Sequence, residues 1–288
     1  MQRFLKHVWL RVPQIIRVKA YLTLKRVGNY FYGSNTVMPG AVTRLPFNLY
    51  LKFGCFGRQE GVFRGIDAAH GNQARAMDLV ERYTQVPAPR TLDWVCDSQR
   101  SFLVMTRAPG VPLGDVLYRM SDAEIVQLDE DLRRCLWELR GIPNPHGPQS
   151  TICSAHGQGC FDFRINNSTH ADVVKFKSEA EFNAYLLSDV PENEHAKTVS
   201  ALCILHNIYF THGDLNPRNI LVDRGRLSGI VDWENAGWFP EYWEYTKVHY
   251  INRWRNRFLD DVVEKIFPDY KKELENEQFL WQWVRPFG

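Results

Sequence analysis

Three polar side chains in the C-terminal third of the chain have the types and the spacing needed for phosphoryl transfer. Asp214 lies in a tight loop, Asn219 follows five residues later, and Asp232 ends the second of two short apolar segments, 220–222 and 229–231. A β-hairpin made of these segments would bring the three side chains together. One carboxylate could then accept the proton of an attacking hydroxyl, while the amide oxygen and the other carboxylate hold Mg²⁺, which prefers oxygen ligands.

The order of these residues matches the protein-kinase catalytic loop H-R-D-x-x-x-x-N and the metal-binding aspartate that follows it. Here Gly213 replaces the arginine after His212, and Asp232-Trp233-Glu234 replaces D-F-G. An incidental Asp–Asn turn beside a hairpin would explain one of these elements, but not three in the correct order.

The same segment resembles a known enzyme family. His-Gly-Asp, a following asparagine and Asp-Trp-Glu are typical of aminoglycoside and choline kinases, and the string through 236–245 is similar to the fungal branch of the aminoglycoside phosphotransferase (APH) family. The similarity extends from about Leu45 to the C-terminus. It implies an α+β, two-lobed protein-kinase-like fold, with a small β-rich N-terminal lobe (1–105) and a mostly helical C-terminal lobe (106–288).

The resemblance also implies roles for individual residues. Asp214 would orient or deprotonate the acceptor hydroxyl, and His212 would brace the catalytic loop. Asn219 and Asp232 would hold Mg²⁺ against ATP. Lys52 would hold the α- and β-phosphates of the nucleotide, although a lysine on a strand can equally face solvent.

Two further positions complete the predicted nucleotide site. Strand 101–105 would end at the hinge between the lobes, where the backbone near Met105 binds the adenine edge. Gln73 falls where the family has a glutamate that pairs with the lysine, in a helix expected over 72–83 with Asn72 as its N-cap. Because a glutamine carries no charge, it can form a hydrogen bond with Lys52 but not the ion pair of active kinases.

This departure leaves alternatives open. Glu60 and Asp67 are nearby acids that could supply the missing charge. Gly28, Gly33 and Gly40 precede the lysine strand, but none forms G-x-G-x-x-G, so no phosphate loop is assigned. A nucleotide-binding or scaffolding pseudokinase without turnover is the main rival to an enzyme. A protein kinase is disfavoured, since no A-P-E segment follows the second aspartate.

Acidic and indole side chains follow directly on the second aspartate. They are Glu234, Trp238, Glu241, Trp243 and Glu244. Carboxylates interleaved with indoles suit an ammonium group through charge and cation–π contacts. They predict a small acceptor, cationic like an aminoglycoside or an amino alcohol. The alternative is that the tryptophans are core residues.

Other elements of the C-terminal lobe can be placed from the sequence. Ser121 and Glu124 form a capping box at the start of a long amphipathic helix that ends at Gly141. Residues 144–172 are predicted to be irregular, 194–206 to be helical, and the chain from Glu241 onward to be helical.

The charge of the chain is unevenly distributed. The net charge of +2 gives no reason to expect a nucleic-acid partner, but residues 1–59 contain ten Lys or Arg and no acid, which leaves a balance of −8 in the remainder. A positive lobe facing a negative one suits a cleft for phosphates and a cation. An unevenly charged solvated surface explains the pattern equally well.

Cysteine usage and hydropathy bear on location. The six cysteines form no metal-ligand pair, which favours reduced thiols and a cytoplasmic protein. No apolar run is long enough to span a membrane. The basic segment 1–26 suggests a mitochondrial presequence, a membrane-surface helix or a helix packed on the small lobe. Its low serine content and Pro13 favour the packed helix.

Overall fold

A four-stranded antiparallel sheet forms the N-terminal lobe in the computed structural model. Its strands are β1 (Val42–Leu45), β2 (Leu49–Cys55), β3 (Thr91–Cys96) and β4 (Arg100–Thr106), in the order β1-β2-β4-β3. The structure describes residues 2–33, 42–55, 66–147, 151–160, 162, 164–165, 173–197, 204–252 and 256–283. Glu60 and Gly40 lie outside these residues, as does the side chain of Asp67.

The alternation of side chains in β4 shows how the sheet is covered. Phe102 and Val104 pack in one apolar cluster, while Leu103 and Met105 belong to the larger core on the opposite face. Successive side chains of a strand point to opposite faces, so both faces of β4 are buried. Lys52 lies directly across from Leu103 and therefore projects to the face of the larger core.

Three helices cover the sheet. Helices α1 (Gln2–Leu10) and α2 (Gln14–Tyr32) pack on one face, and α3 (Ile66–Tyr83) packs on the other. The predicted helix over 72–83 therefore begins six residues earlier than expected, and Asn72 is an interior residue of α3 and not its N-cap. The basic N-terminal segment is a pair of helices packed on the small lobe.

The first long helix of the C-terminal lobe is α5 (Asp122–Arg140), which follows β5 (Val111–Pro112) and the short α4 (Leu113–Val116). The capping box at its start is confirmed, since the Ser121 hydroxyl accepts from the Glu124 amide and the Glu124 carboxylate accepts from the Ser121 amide. Its predicted apolar stripe is buried: Ile125, Leu128, Leu132, Leu136 and Leu139.

Two small antiparallel sheets support the segment that carries Asp214, Asn219 and Asp232. The first has the order β6-β10-β7 and the second the order β5-β8-β9. The strands are β6 (Cys153–Ser154), β7 (Ile208–Thr211), β8 (Ile220–Asp223), β9 (Arg226–Ile230) and β10 (Gly237–Pro240). The predicted hairpin is formed by β8 and β9, and it turns at Arg224 and Gly225, both with positive φ, as a two-residue type I′ turn requires.

The remaining helices are α6 (Glu179–Leu187), α7 (Trp243–Ile251), α8 (Glu264–Ile266, after a π-helical turn over Leu259–Val263) and α9 (Lys271–Leu280). They confirm a helical end of the chain. The helix predicted over 194–206 is wrong at 204–206, which is not helical. Residues 198–203 lie outside the described part, and Glu192–Lys197 is a 3₁₀ helix. The described parts of 144–172 hold only β6, turns and isolated bridges.

These elements form the predicted two-lobed, protein-kinase-like α+β fold. The boundary between residues 105 and 106 stays a prediction. Within the described part of the chain, no helix is both long and apolar enough to cross a membrane.

Candidate active site

Lys52 is the centre of a buried group of polar side chains on the cleft face of the N-terminal sheet. Its ammonium lies 2.6 Å from a carboxylate oxygen of Asp232 and 2.6 Å from one of Glu234. It also donates to the amide oxygen of Gln73, at 3.0 Å. Burial by itself would lower the pKa of Lys52, but the two carboxylates outweigh burial and raise it. The lysine is therefore firmly cationic.

Asp214 lies in the loop after β7, where two amides hold its carboxylate. Asn216 donates to one oxygen at 2.9 Å, and Asn219 donates to the other at 2.8 Å. Burial raises the pKa of Asp214 to about 6, although these hydrogen bonds and the charge of Lys247 oppose the rise. A carboxylate fixed in orientation, with a pKa close to neutral, is suited to accept a proton from a hydroxyl.

His212 connects the loop that carries Asp214 to the segment that carries Asp232. Its Nδ1 accepts from the backbone amide of Asp214 at 3.1 Å, and its Nε2 lies 3.0 Å from the carbonyl oxygen of Val231. The ring is fully buried, and burial lowers its pKa. This neutral, bridging histidine is placed to brace the loop.

Glu244 in α7 also holds this loop. Its carboxylate accepts the backbone amides of His212 at 2.6 Å and of Gly213 at 3.1 Å. Gly213 has φ +80°, and a Cβ at this position would lie 2.6 Å from the carbonyl oxygen of Asn235. Only glycine fits both constraints, which explains why glycine stands where protein kinases have arginine.

The β8–β9 hairpin brings Asp232 back beside the catalytic loop. The Val231 amide donates to the Asn219 carbonyl oxygen at 2.9 Å, which fixes Asn219 and Asp232 as neighbours. Asp232 adopts the left-handed conformation, with φ 67° and ψ 59°. Burial by itself would raise the pKa of Asp232, but Lys52, together with His212 and His70, lowers it.

Helix α3 reaches this site through two adjacent side chains. Gln73 contacts Lys52 as predicted from its place in the helix. Asn72 donates to the carbonyl oxygens of Glu234 at 2.8 Å and of Ala236 at 2.7 Å. These two hydrogen bonds tie the Asp-Trp-Glu turn of the C-terminal lobe to α3 of the N-terminal lobe.

The oxygen atoms of Asn219 and Asp232 suit a hard divalent cation. The amide nitrogen of Asn219 is committed to the backbone and side chain of Asp214, which leaves its amide oxygen for another partner. The Asp232 side chain is 39% exposed, and both residues line one cavity. An amide oxygen and an ionised carboxylate fit the coordination that Mg²⁺ prefers.

That cavity has a volume of about 310 Å³ and lies between the lobes. Its polar lining includes Lys52, Gln73, Asn219 and Asp232. Tyr50, Leu221 and Val231 also line it, together with the segment from Met105 to Ala108. A cavity with both polar and apolar lining fits a molecule with a charged part and an apolar part.

The predicted acceptor residues are only partly in this cleft. Glu234 adjoins the cleft through its carboxylate, which is bound to Lys52. Trp238 is 2% exposed and packs edge-on against Phe210 at 5.2 Å between ring centroids. Glu241 accepts a hydrogen bond from the Tyr270 hydroxyl at 3.2 Å, within the C-terminal lobe and outside the lining of the cavity.

Trp243 is fully buried, 5.6 Å from the Phe239 ring and stacked on it. Together with the loop-binding role of Glu244, this leaves one carboxylate of the acidic and indole segment in the cleft. Trp238 and Trp243 are therefore core residues, as the alternative interpretation expects.

Sequence reasoning missed Asn72, Asn216 and the loop-binding role of Glu244. Asn216 could have been found, because an asparagine two residues after the aspartate lies within reach of its carboxylate in a tight loop. The roles of Asn72 and Glu244 depend on contacts with residues 162 and 32 positions away in the chain, which carry no local signal.

A kinase-like fold that holds a lysine, an Asp–Asn loop and a second aspartate around one cleft defines the phosphotransferase class. A profile of the APH family, described as "Phosphotransferase enzyme family", matches residues 67–287. The chain belongs to the APH phosphotransferase family. No curated protein sequence matches it.

Solved structures resemble this chain at low sequence identity. A protein assigned as a fructosamine-3-kinase from Haemophilus somnus 129PT is 11% identical, with a TM-score of 0.55 over 90% of this chain and 86% of that one. Aminoglycoside phosphotransferase APH(3'')-Id from Streptomyces rimosus, solved with ADP and streptomycin, is 16% identical, with a TM-score of 0.47 over 92% and 90%. A thermostable mutant of aminoglycoside phosphotransferase APH(4)-Ia is 15% identical, with a TM-score of 0.49 over 83% of this chain and 78% of that one.

Proposed function

We propose that this protein transfers the terminal phosphoryl group of Mg-ATP to a hydroxyl group of a small molecule. The observation that carries the proposal is the meeting of Lys52, Asp232 and Asn219 at one interlobe cavity, with Asp214 held beside it by a hydrogen bond from Asn219. Membership of a phosphotransferase family supports the reaction class. The geometry of these four side chains supports the roles described below.

The nucleotide is proposed to lie along the cavity. Its phosphates would face Lys52, and its base would lie beside Met105 and the segment to Ala108. Asn219 and Asp232 would hold Mg²⁺, which neutralises charge on the phosphates when it is bound. Lys52 contributes a fixed positive charge that needs no reorganisation, because two carboxylates keep it protonated.

Asp214 is proposed to orient the acceptor hydroxyl and to accept its proton. The two asparagines that hold the carboxylate prevent it from rotating, and an oriented group is what a loose phosphoryl-transfer transition state requires. His212 would contribute by holding the loop, because its ring nitrogens are both engaged with backbone atoms.

The acceptor is proposed to be a small hydroxyl compound with a positive charge, such as an amino alcohol or an aminoglycoside. Among the described residues, Lys52 pairs with Asp232 and Glu234, while the Lys247 ammonium near Asp214 is itself paired with Asp162, so the carboxylates outnumber the ammonium groups. Such an excess of negative charge attracts a cation to the cleft. Trp238 and Glu241 are not part of the proposed acceptor site, because Trp238 is buried in the core and Glu241 is hydrogen-bonded to Tyr270.

Nucleotide binding is tested by thermal unfolding with ATP, with Mg²⁺ and after chelation of the metal. At a ligand concentration about 100 times Kd, the free energy of unfolding should rise by about 2.7 kcal/mol. Metal-dependent stabilisation supports the proposed site. No stabilisation at millimolar Mg-ATP contradicts both the enzyme and the nucleotide-binding pseudokinase.

Turnover is tested with terminally labelled ATP and a panel of amino alcohols, aminoglycosides and neutral sugars. Transfer to at least one hydroxyl compound, absent in Asp214→Asn, supports the enzyme. Nucleotide binding without transfer to any member of a broad panel favours the pseudokinase.

A further inference from the structure

The two N-terminal helices concentrate the exposed apolar side chains of the protein. In the described part of the chain, seven of the seventeen exposed large hydrophobic residues precede Gly33. They are Val8, Leu10, Ile15, Ile16, Tyr30, Phe31 and Tyr32. Scattered apolar residues are normal on a protein surface, but a concentration of them marks an interaction surface.

The solvent-facing side chains of α2 change in type along the helix. With about 100° between successive residues, Ile15, Lys19, Arg26 and Tyr30 fall within an arc of roughly 60°. All four are exposed, Ile15 at 65% and Tyr30 at 84%. The helix therefore presents an aliphatic end, a basic middle and an aromatic end along one line, which we call the α2 outer face.

This face is basic without any compensating acid in its own helix. Residues 2–33 contain seven Lys or Arg and no Asp or Glu. Lys6, Arg17 and Lys25 are used internally, since they contact the Thr91 carbonyl, Asp93 and the Phe53 ring. The exposed bases of the α1–α2 region include Arg11, Lys19 and Arg26.

A buried polar cluster fixes which side of α2 faces outward. Asp93 on β3 accepts from Arg17 at 2.5 Å, from the Tyr21 hydroxyl at 2.6 Å and from the Trp9 indole at 3.2 Å. Val18 and Tyr21 are buried on that side of the helix. Ile15 and Ile16 cannot turn into the core while these contacts hold, so the outer face is displayed by the folded lobe.

We infer that the α2 outer face binds the surface of an anionic membrane. Basic side chains complement acidic lipid headgroups, aliphatic side chains insert at the headgroup boundary, and Tyr is enriched at that boundary. A nucleic acid would complement the bases but offers no apolar layer for Ile15 and Ile16. The helix would lie on the membrane, since no described helix can span one.

The test is co-flotation of the full chain with phosphatidylcholine vesicles that contain or lack phosphatidylserine. We expect binding to the anionic vesicles, weakening as salt is raised, and at least tenfold weaker binding to neutral vesicles. Ile15→Ser/Ile16→Ser and Lys19→Glu/Arg26→Glu should each weaken binding to anionic vesicles at least tenfold. Thermal unfolding of each variant checks that the fold is retained.

Matched control pairs alter equally exposed side chains elsewhere. Tyr118→Ser/Trp137→Ser and Lys271→Glu/Lys272→Glu should bind like the unaltered protein. Three results would overturn the inference. They are no binding to anionic vesicles, equal loss in the control pairs, and a dimer in sedimentation that Ile15→Ser/Ile16→Ser dissociates. None depends on whether the protein transfers phosphate.

Discussion

The ammonium of Lys52 lies 2.6 Å from the carboxylate of Glu234, 182 residues further along the chain. In active kinases the corresponding lysine pairs with a glutamate of the helix that corresponds to α3. This chain has Gln73 at that position. Gln73 is present at 3.0 Å, but it contributes a neutral hydrogen bond. The negative charge that α3 lacks is therefore supplied from the turn that follows Asp232.

We expect Glu234→Gln to lower phosphotransfer about tenfold or more, because charge-assisted hydrogen bonds are roughly twice as strong as neutral ones. The sequence alone predicts that Gln73→Glu raises activity. With Glu234 already on Lys52, we now expect Gln73→Glu alone to change activity by less than about threefold. In the Glu234→Gln background, the same substitution should restore most of the loss. The measurement is kcat and KM for ATP in all four proteins.

A Glu234→Gln enzyme that Gln73→Glu does not rescue would argue that Glu234 acts on the acceptor instead. In that case KM for the acceptor, and not KM for ATP, should carry the change. Thermal unfolding of the four proteins serves as the control for folding.

The two aspartates should separate by what they affect. Asp232→Ala should abolish the metal-dependent stabilisation by ATP, because a proposed metal ligand acts already in the ground state. Asp214→Asn should keep nucleotide binding and lower kcat by roughly 10²–10⁴, the usual contribution of a positioned proton acceptor. Full turnover by Asp214→Asn would show that the catalytic loop is wrongly assigned.

The pKa of Asp214 predicts an acid limit to activity. Because burial raises this pKa to about 6, the reactive carboxylate is present above pH 6 and is lost as the pH falls through that value. We expect kcat/KM at pH 5 to be roughly one tenth of its plateau. Mg-ATP binding measured over the same pH range separates this effect from protonation of the nucleotide. A profile that stays flat from pH 5 to 8 would contradict this role.

Gly213→Ala should destabilise the protein and disable the catalytic loop. The left-handed backbone costs an alanine about 1–2 kcal/mol, and the added Cβ would also lie 2.6 Å from the Asn235 carbonyl oxygen. Gly157→Ala is the control, since Gly157 has a similar φ of +76° and a Cβ there would meet only His146 Nε2, at 3.8 Å. Urea unfolding should show a larger loss for Gly213→Ala than for Gly157→Ala. Equal losses would mean that the loop relaxes around the methyl group.

His206 should make the stability of the C-terminal lobe depend on pH. Its ring lies 2.7 Å from Glu179 and 3.5 Å from Glu273, and these acids raise its pKa even though burial lowers it. The stabilisation is fully present below about pH 6.5 and is lost as the pH rises through the raised pKa. The free energy of unfolding should therefore fall from pH 6 to 8.5 by an amount that His206→Gln lacks. The same fall in His206→Gln would assign it to other groups.

Much of the candidate site could be predicted because its residues are close in the sequence. Asp214 and Asn219 share one loop, and a two-residue turn joins the strands that return the chain to Asp232. Lys52 could be placed because an alternating strand fixes which side chains share a face. The long helix α5 followed from its capping box and apolar stripe, which are local signals.

Other features were decided by tertiary contacts alone. The acidic and indole segment after Asp232 has one composition, yet its side chains divide between the cleft and the core. Glu234 faces Lys52, while Trp238 and Trp243 are buried. A pattern of residue types cannot make this division, because it depends on which elements cover each face. The start of α3 was likewise misplaced, because Asn72 resembles a helix cap but serves as a bridge to the Asp-Trp-Glu turn.

The sequence by itself determined the reaction class suggested for this chain, since the loop, the hairpin and the lysine strand each follow from local spacing. Only the tertiary structure decided which acid pairs with Lys52 and which side of α2 faces solvent. Both depend on contacts between residues far apart in the chain, Lys52 with Glu234 and Arg17 with Asp93. Such contacts form because burial makes an unpaired charge costly, so each buried charge takes the partner that the packed elements place beside it.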